Sequence, residues 1–411
     1  MRGNDTGLAL WVAPMRSDAD ISGDELRHTL RVRELIAGEI AAAGGWIGFE
    51  RYMDLALYAP GLGYYSAGAR KMGAGGDFTT APEISSLFGA CVAKQCAEVL
   101  RAVPEGSILE VGAGTGRLAV DILARLESLA QLPARYLILE VSADLKERQR
   151  TLLHAELPHL RNRVVWLDAL PEPFDGVILA NEVLDALPVT RFRWDGTVFE
   201  ELGVAVRDGA FLSAARPADP ATTARCKALM ANAMLSEQGR HGTGALDGYT
   251  SEYCPRLQSW AAGIARSLRR GAVLWFDYGL PRAQYYLAER HDGTLLCHFR
   301  HRVHDDPFRY PGLSDITAWV DFTAMAEAAG PANCHLAGFT TQAFFLAGMH
   351  IDAEMHAFAG GDANRFARLA NEARQLMLPG EMGERFKAMA WRRGVDLELS
   401  GFALQDLRHT L

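Results

Sequence analysis

The chain has 411 residues, 49% hydrophobic and 22% charged, an ordinary globular composition with enough apolar material for a sizeable core and a length that suggests roughly two to three domains. Its formal net charge of −8 offers no global basic field for nucleic acid, and it permits a cationic substrate without requiring one. No run approaches the ~20 apolar residues of a spanning helix.

The short apolar stretch "GLALWVAP" is followed by Asp18, Asp20, Asp24 and Glu25, so it reads as neither a signal nor a transit peptide. Six scattered cysteines, none in C-x-x-C spacing, read as reduced structural thiols. The expectation is a soluble, cytoplasmic protein.

In chain order, residues 1–24 read as a tail and 25–104 as an N-terminal helical or lid segment. Leu26, Leu30, Leu35, Ile36 and Ile40 recur at near-helical spacing, and Gly44-Gly45 stops the helix. An aromatic, glycine-punctuated stretch follows. The next helix is predicted to start near Pro82, with Thr79 or Thr80 as its cap and Ile84, Leu87, Phe88, Val92 and Cys96 on its apolar face.

From about residue 105, apolar strands alternate with amphipathic helices. "SILEVG" leads to "GRLAVDILARLESLA", and "YLILEVS" leads to "ADLKERQRTLLHAE". "RVVWLD" then precedes "PFDGVILANEVLDALP", read as a strand entering a turn and helix. This is the pattern of a parallel sheet with crossovers.

Residues 191–270 read as an inserted substrate-side subdomain. It opens with antiparallel strands joined at Asp195-Gly196 and Asp208-Gly209, and continues with a helix over 219–240. "PRLQSWAAGIARSLRRG" reads as a helix ended by Gly271, and "AVLWFDYG" resumes the sheet, so the core spans 105–190 and 271–350. "CHLAGFTTQAFFLAGM" is expected to supply the last strand pair. The C-terminal segment, 351–411, is expected to be helical through about 395 with a break at "LPGEMG".

Ligands of such folds bind at the carboxyl ends of the strands, where strand order reverses. "ILEVGAGTGRLA" (108–119) stands at the first such turn. A P-loop needs a lysine that is absent here, and the dinucleotide fingerprint needs glycine where this chain has Arg117. The remaining pattern is Gly112, Gly114 and Gly116 preceded by Glu110, which suits S-adenosylmethionine. The glycines let backbone approach the methionyl part, and the acid attracts its ammonium group. A tight strand-to-helix turn without ligand would use glycine as well.

Glu140 ends the next strand, where a carboxylate can accept from both ribose hydroxyls; Asp168 ends the third and can accept the adenine amino proton. The adjoining Val141 and Ala169 are counted with them. The plainer alternatives are an acid favoured by a helix dipole and a simple loop acid.

Asn181, Glu182 and Asp185 follow the fourth strand, with the two acids three residues apart, so a helical turn would put them on one face. They are the candidate catalytic group, able to grip a guanidinium and orient one nitrogen towards a methyl carbon. N-capping by Asn181 plus a surface acid is the alternative. His298, His301 and His304 have metal-like spacing, yet no companion ligand set supports them and arginines intervene, so no metal is expected.

Together, "GDFTTAPEISSLFG", "LEVGAGTGRLAVDIL", "ANEVLDALPVTRF", "WFDYG", "SDITAWVDF" and "LPGEMGERFKAM" resemble the MidA family over about residues 26–395. These are class I S-adenosylmethionine-dependent methyltransferases related to the mitochondrial complex I assembly-factor arginine methyltransferase. The resemblance implies a seven-stranded Rossmann-like α/β core with an N-terminal helical segment, an inserted subdomain and C-terminal helices. It implies cofactor contacts from Glu110, Gly112, Gly114, Gly116 and Glu140. It also implies a protein substrate presenting an arginine, a respiratory complex I subunit being one candidate.

Where relatives are expected to carry histidine in "LTAHVDF", this chain has Trp319, which puts any acid–base role there in doubt; Asp315, Thr317 and Asp321 remain. Asp77, Phe78, Thr79 and Thr80 acquire a second reading as a lid excluding water from the cofactor, with Phe78 and Thr80 as contacts, beside helix capping and packing. Two other readings stay open: a methyltransferase-fold assembly factor or chaperone without catalysis, and a nicotinamide-dependent dehydrogenase, disfavoured by Arg117. The oligomeric state is open, a homodimer being one option.

Overall fold

The computed structural model describes residues 21–67, 80–171, 173–231 and 246–411. Its central sheet contains β1 (Ser107–Val111), β2 (Tyr136–Leu139), β3 (Val164–Leu167), β4 (Phe174–Asn181), β5 (Leu268–Leu280), β6 (His335–Thr341) and β7 (Phe386–Arg393). Their order is β6-β7-β5-β4-β1-β2-β3, and the two-residue strand Val320–Asp321 adds beside β5. β5, β4, β1, β2 and β3 run parallel, while β7 is antiparallel to both neighbours.

Successive side chains of a strand point to opposite faces, so the buried apolar runs split cleanly. Ile108, Val177, Leu179, Leu274 and Phe276 join one core with the helices Ser86–Ala102, Arg117–Ser128 and Ala363–Met377. Leu109, Ile178, Ala180, Val273 and Trp275 join the other with Leu257–Arg266 and Phe322–Ala329. The chain leaves β1 towards β2 on one side and returns to β4 on the other. The carboxyl ends of β1 and β4 therefore flank the switch point where such sheets bind ligands.

A second, antiparallel sheet pairs Thr190–Trp194, Phe199–Arg207, Ala210–Pro217 and Thr250–Tyr253 with Ile47–Gly48 from the N-terminal segment. The Asp208-Gly209 turn has φ of 51° and 74°, the left-handed pair that a two-residue hairpin needs. A three-stranded sheet contains Leu296–Phe299, Arg302–His304 and Asp315–Thr317.

Several local expectations are corrected. The helix predicted to run to Gly271 ends at Arg266, and β5 starts at Leu268. Gly271 lies where a Cβ would come 1.8 Å from the carbonyl oxygen of Gly176, so close strand packing, not helix termination, requires glycine there. "FKAMAWRR" is β7, not helix: its helix-favouring Ala, Met and Lys are overridden by pairing with strands on both sides. "QAFFLAG" is a helix, not a strand, capped by the Thr341 side chain. The helix predicted near Pro82 is divided: Ala81–Ile84 ends at Ser85, whose hydroxyl caps Ser86–Ala102. The helix predicted over 219–240 covers Pro220–Leu229, and 232–245 lie outside the described residues.

All six cysteines are free, and no described helix is long and apolar enough to cross a membrane.

Candidate active site

A cleft of about 990 Å³ opens at the carboxyl ends of β1, β2 and β4. Gly112, Ala113, Gly114 and Thr115 form one wall, with Glu110 and Glu140 behind them. The loop turns through left-handed backbone at Gly112 (φ 68°), Gly114 (φ 53°) and Gly116 (φ 89°). A Cβ on Gly112 would stand 3.1 Å from Val183 Cγ2, so a side chain there meets both strain and crowding. Gly116 serves the turn from outside the lining, as N-cap of Arg117–Ser128.

Glu110 is 2% exposed, and its Oε2 accepts from the Tyr136 hydroxyl at 2.8 Å. Burial pushes its pKa up to about 7, against the Tyr136 hydrogen bond and with a further push from Glu140. Glu140 is also buried. It accepts from the Ser142 N–H at 2.9 Å and from Gln149 Nε2 at 3.2 Å, and burial raises its pKa. Two buried acids beside an open backbone loop form a site that gains from a cationic, hydroxyl-bearing ligand.

The opposite side of the cleft is built on the turn after β4. Asn181, Glu182 and Asp185 all line the cleft. The expected helical turn is absent: Glu182 has φ 52°, and a non-helical turn brings the acids to one side. Glu182 Oε1 accepts from the Ala81 N–H at 3.3 Å and Asn181 Nδ2 at 3.2 Å, while Oε2 is buried without a partner. Burial, then the nearby Asp185, pushes the Glu182 pKa up to about 8. Asp185 Oδ2 accepts from the Tyr278 hydroxyl at 2.6 Å, Oδ1 is likewise buried and unpartnered, and burial pushes its pKa up to about 6.

Tyr58 and Tyr65 complete this end, their rings stacked with centroids 5.5 Å apart. Tyr58 donates to the Ala186 carbonyl at 2.9 Å, and Tyr65 donates to the Asp315 carboxylate at 2.9–3.0 Å.

Thr80 and Val141 also line the cleft. Thr80 is an N-cap by position, without a side-chain cap bond. Phe78, Asp77 and Thr79 lie outside the described residues. Asp168 and Ala169 do not line the cleft. The Asp168 side chain is 94% exposed and bonds Lys146 Nζ at 2.5 Å, a contact that lowers its pKa. Trp319 stands away from the cleft, with the Arg290 guanidinium over its ring at 5.1 Å. His298 and His304 sit on a hairpin, and the described residues contain no metal-binding cluster.

Sequence reasoning passed over Tyr58 and Tyr65, which line the cleft, and Asp277 and Tyr278, which bond to the turn behind it. Asp277 carried the signal that marked Glu110 and Glu140: a carboxylate near the end of an apolar strand, here "AVLWFDYG".

The geometry agrees with what the chain resembles. Residues 91–340 match the model of a family of S-adenosyl-L-methionine-dependent methyltransferases. A structure from Burkholderia thailandensis, bound to S-adenosylhomocysteine, superposes with a TM-score of 0.88 at 42% identity, covering 95% of this chain and 99% of that one. The protein arginine methyltransferase NDUFAF7 of Danio rerio is 30% identical over 92% of this chain and 89% of its own length. The Homo sapiens NDUFAF7 is 28% identical over 84% and 80%.

Both NDUFAF7 relatives are named mitochondrial, which overturns the cytoplasmic location read from the sequence. Reduced cysteines distinguish oxidising from reducing compartments and cannot choose among the reducing ones. The cleft, the family match and the S-adenosylhomocysteine-bound structure converge: this chain belongs to the S-adenosyl-L-methionine-dependent methyltransferases that include NDUFAF7, and S-adenosylmethionine is its cofactor.

Proposed function

We propose that this chain methylates the guanidinium of an arginine in a protein. The observation that carries the reading is the pair of buried, unpartnered carboxylate oxygens, Glu182 Oε2 and Asp185 Oδ1, lining the same cleft as the glycine loop. An acceptor cation with several N–H donors satisfies both and replaces the repulsion between the two acids by attraction. The name protein arginine methyltransferase, carried by the NDUFAF7 relatives, supports the same acceptor.

Glu110 would hold the methionyl ammonium, Glu140 the ribose hydroxyls, and the backbone of Gly112 and Gly114 the part between. When bound, the cofactor supplies an electrophilic methyl carbon that a guanidine nitrogen takes up, the C–S bonding pair remaining on sulfur. Glu182 and Asp185 hold the guanidinium plane and aim one nitrogen. That nitrogen sheds one proton as it gains the methyl group. The arriving guanidinium displaces to solvent the proton that Glu182, its pKa pushed to about 8, holds before the cation binds, and the freed carboxylate then accepts the nitrogen's proton near neutral pH. Tyr58 and Tyr65 enclose this end of the cleft and limit water.

The test is incubation with tritiated S-adenosylmethionine and extract of cells lacking this protein, followed by amino-acid analysis of the labelled protein. A respiratory complex I subunit is the first acceptor to examine. Label in methylarginine is expected; cofactor binding without any labelled arginine would sink the reading.

A further inference from the structure

We propose that Asp277 and Tyr278, near the end of β5, are the positioning pair for the acceptor carboxylates: Asp277 through the backbone of residues 183–185, Tyr278 through the side chain of Asp185. The inference rests on the arginine-transfer reading above.

Asp277 is fully buried and does not line the cleft. Its Oδ2 accepts from three consecutive N–H groups, Val183 at 3.2 Å, Leu184 at 2.9 Å and Asp185 at 3.4 Å. Its Oδ1 accepts from the Tyr278 N–H at 2.9 Å. One carboxylate thus ties the turn carrying Glu182 and Asp185 to the next strand. The Glu182 N–H donates to the Phe276 carbonyl at 2.8 Å, so the same strand end grips the turn at its first residue too. Tyr278 donates its hydroxyl to Asp185 Oδ2 at 2.6 Å, leaving Oδ1 as the unpartnered oxygen.

The turn needs this support. Glu182 adopts φ 52°, a conformation that non-glycine residues hold only where their surroundings over-determine it. A fully buried acid set behind two others, Glu182 and Asp185, is a poor choice for stability alone. Its return is geometric. Three converging N–H groups need one acceptor with more than one lone pair, and the second oxygen locks Tyr278 in the same unit.

Asp277→Asn tests the first half. An amide oxygen can still face residues 183–185, but its NH2 then meets the Tyr278 N–H, donor against donor. Tyr278→Phe tests the second half by removing only the hydroxyl on Asp185. Rates are taken at saturating S-adenosylmethionine and expressed per S-adenosylhomocysteine-binding site, which separates misplacement from loss of folded protein. The expected result is a fall on the order of 10²-fold for Asp277→Asn and about 10-fold for Tyr278→Phe. The KM for S-adenosylmethionine should stay within about threefold, because neither residue touches the cofactor wall.

Wild-type turnover per site in both variants would overturn the inference. If Asp277→Asn does not fold, Tyr278→Phe decides alone by the same criterion. Failure of the arginine reading looks different: the wild-type protein places label on another amino acid, and both variants are then scored on that label.

Discussion

Glu182→Gln offers a test in which stability and activity move in opposite directions. Glu182 has a folded-state pKa of about 8 against an ordinary 4.5, burial being the main cause and Asp185 the next. Between those values the folded protein holds a proton that the unfolded chain releases. Stability therefore falls as pH rises through that window, and below it both states are protonated and nothing is lost. Each tenfold change in proton affinity is worth about 1.4 kcal/mol, so the gap sets a ceiling of about 5 kcal/mol.

Asp185 ionises more readily once Glu182 is neutral, and water entry relaxes the buried charge. About 2 kcal/mol is the expected gain for the glutamine variant at pH 8, on the order of 2–4 °C in a chain of this size. The assay is thermal unfolding of both proteins at about pH 5 and pH 8. The variant should melt above the wild type at pH 8 and close to it at pH 5, while methyl transfer falls at least about 10²-fold. Equal increments at the two pH values would refute the assignment of the titrating proton to Glu182.

Glu110→Gln should weaken S-adenosylhomocysteine binding about 10- to 100-fold by calorimetry, a charge-assisted contact being replaced by a neutral one. Because burial holds Glu110 near 7, wild-type affinity should rise as pH increases through 7, and the variant should lose that slope. Asp168→Asn should change that affinity less than about threefold, since the carboxylate is exposed on Lys146; a tenfold loss would return Asp168 to the site. Gly271→Ala puts a methyl group 1.8 Å from the Gly176 carbonyl oxygen and should abolish soluble expression by separating β4 from β5, whereas Gly263→Ala, with open space around it, should express normally.

The glycine-loop half of the cleft was legible because its signals are local. Gly112, Gly114 and Gly116 encode a left-handed turn within five residues, and Glu110 and Glu140 end apolar runs whose length marks them as strands. Asp168 carried the same signal and met a different fate, because whether a strand-end acid faces a cleft or solvent depends on its neighbours. The Glu182–Asp185 side of the cleft was half legible. "NEVLDALP" announced its acids, but their shared direction comes from a non-helical turn held by a carboxylate 92–94 residues further along the chain.

The sequence by itself determined the alternation of strands and helices, the glycine turn and the acids that end the strands, since period, turn geometry and side-chain type are properties of short segments. Tertiary structure alone decided that "FKAMAWRR" is an interior strand, because pairing on both edges outweighs helical propensity. It also decided that Tyr58 and Tyr65 reach the cleft beside Glu182 and Asp185 from the N-terminal segment. Finally, it decided which acids lose water, and so which become the proton-holding groups with unpartnered oxygens, Glu182 and Asp185. Burial and unsatisfied hydrogen bonding are fixed by what packs across the fold, and no short segment carries that information.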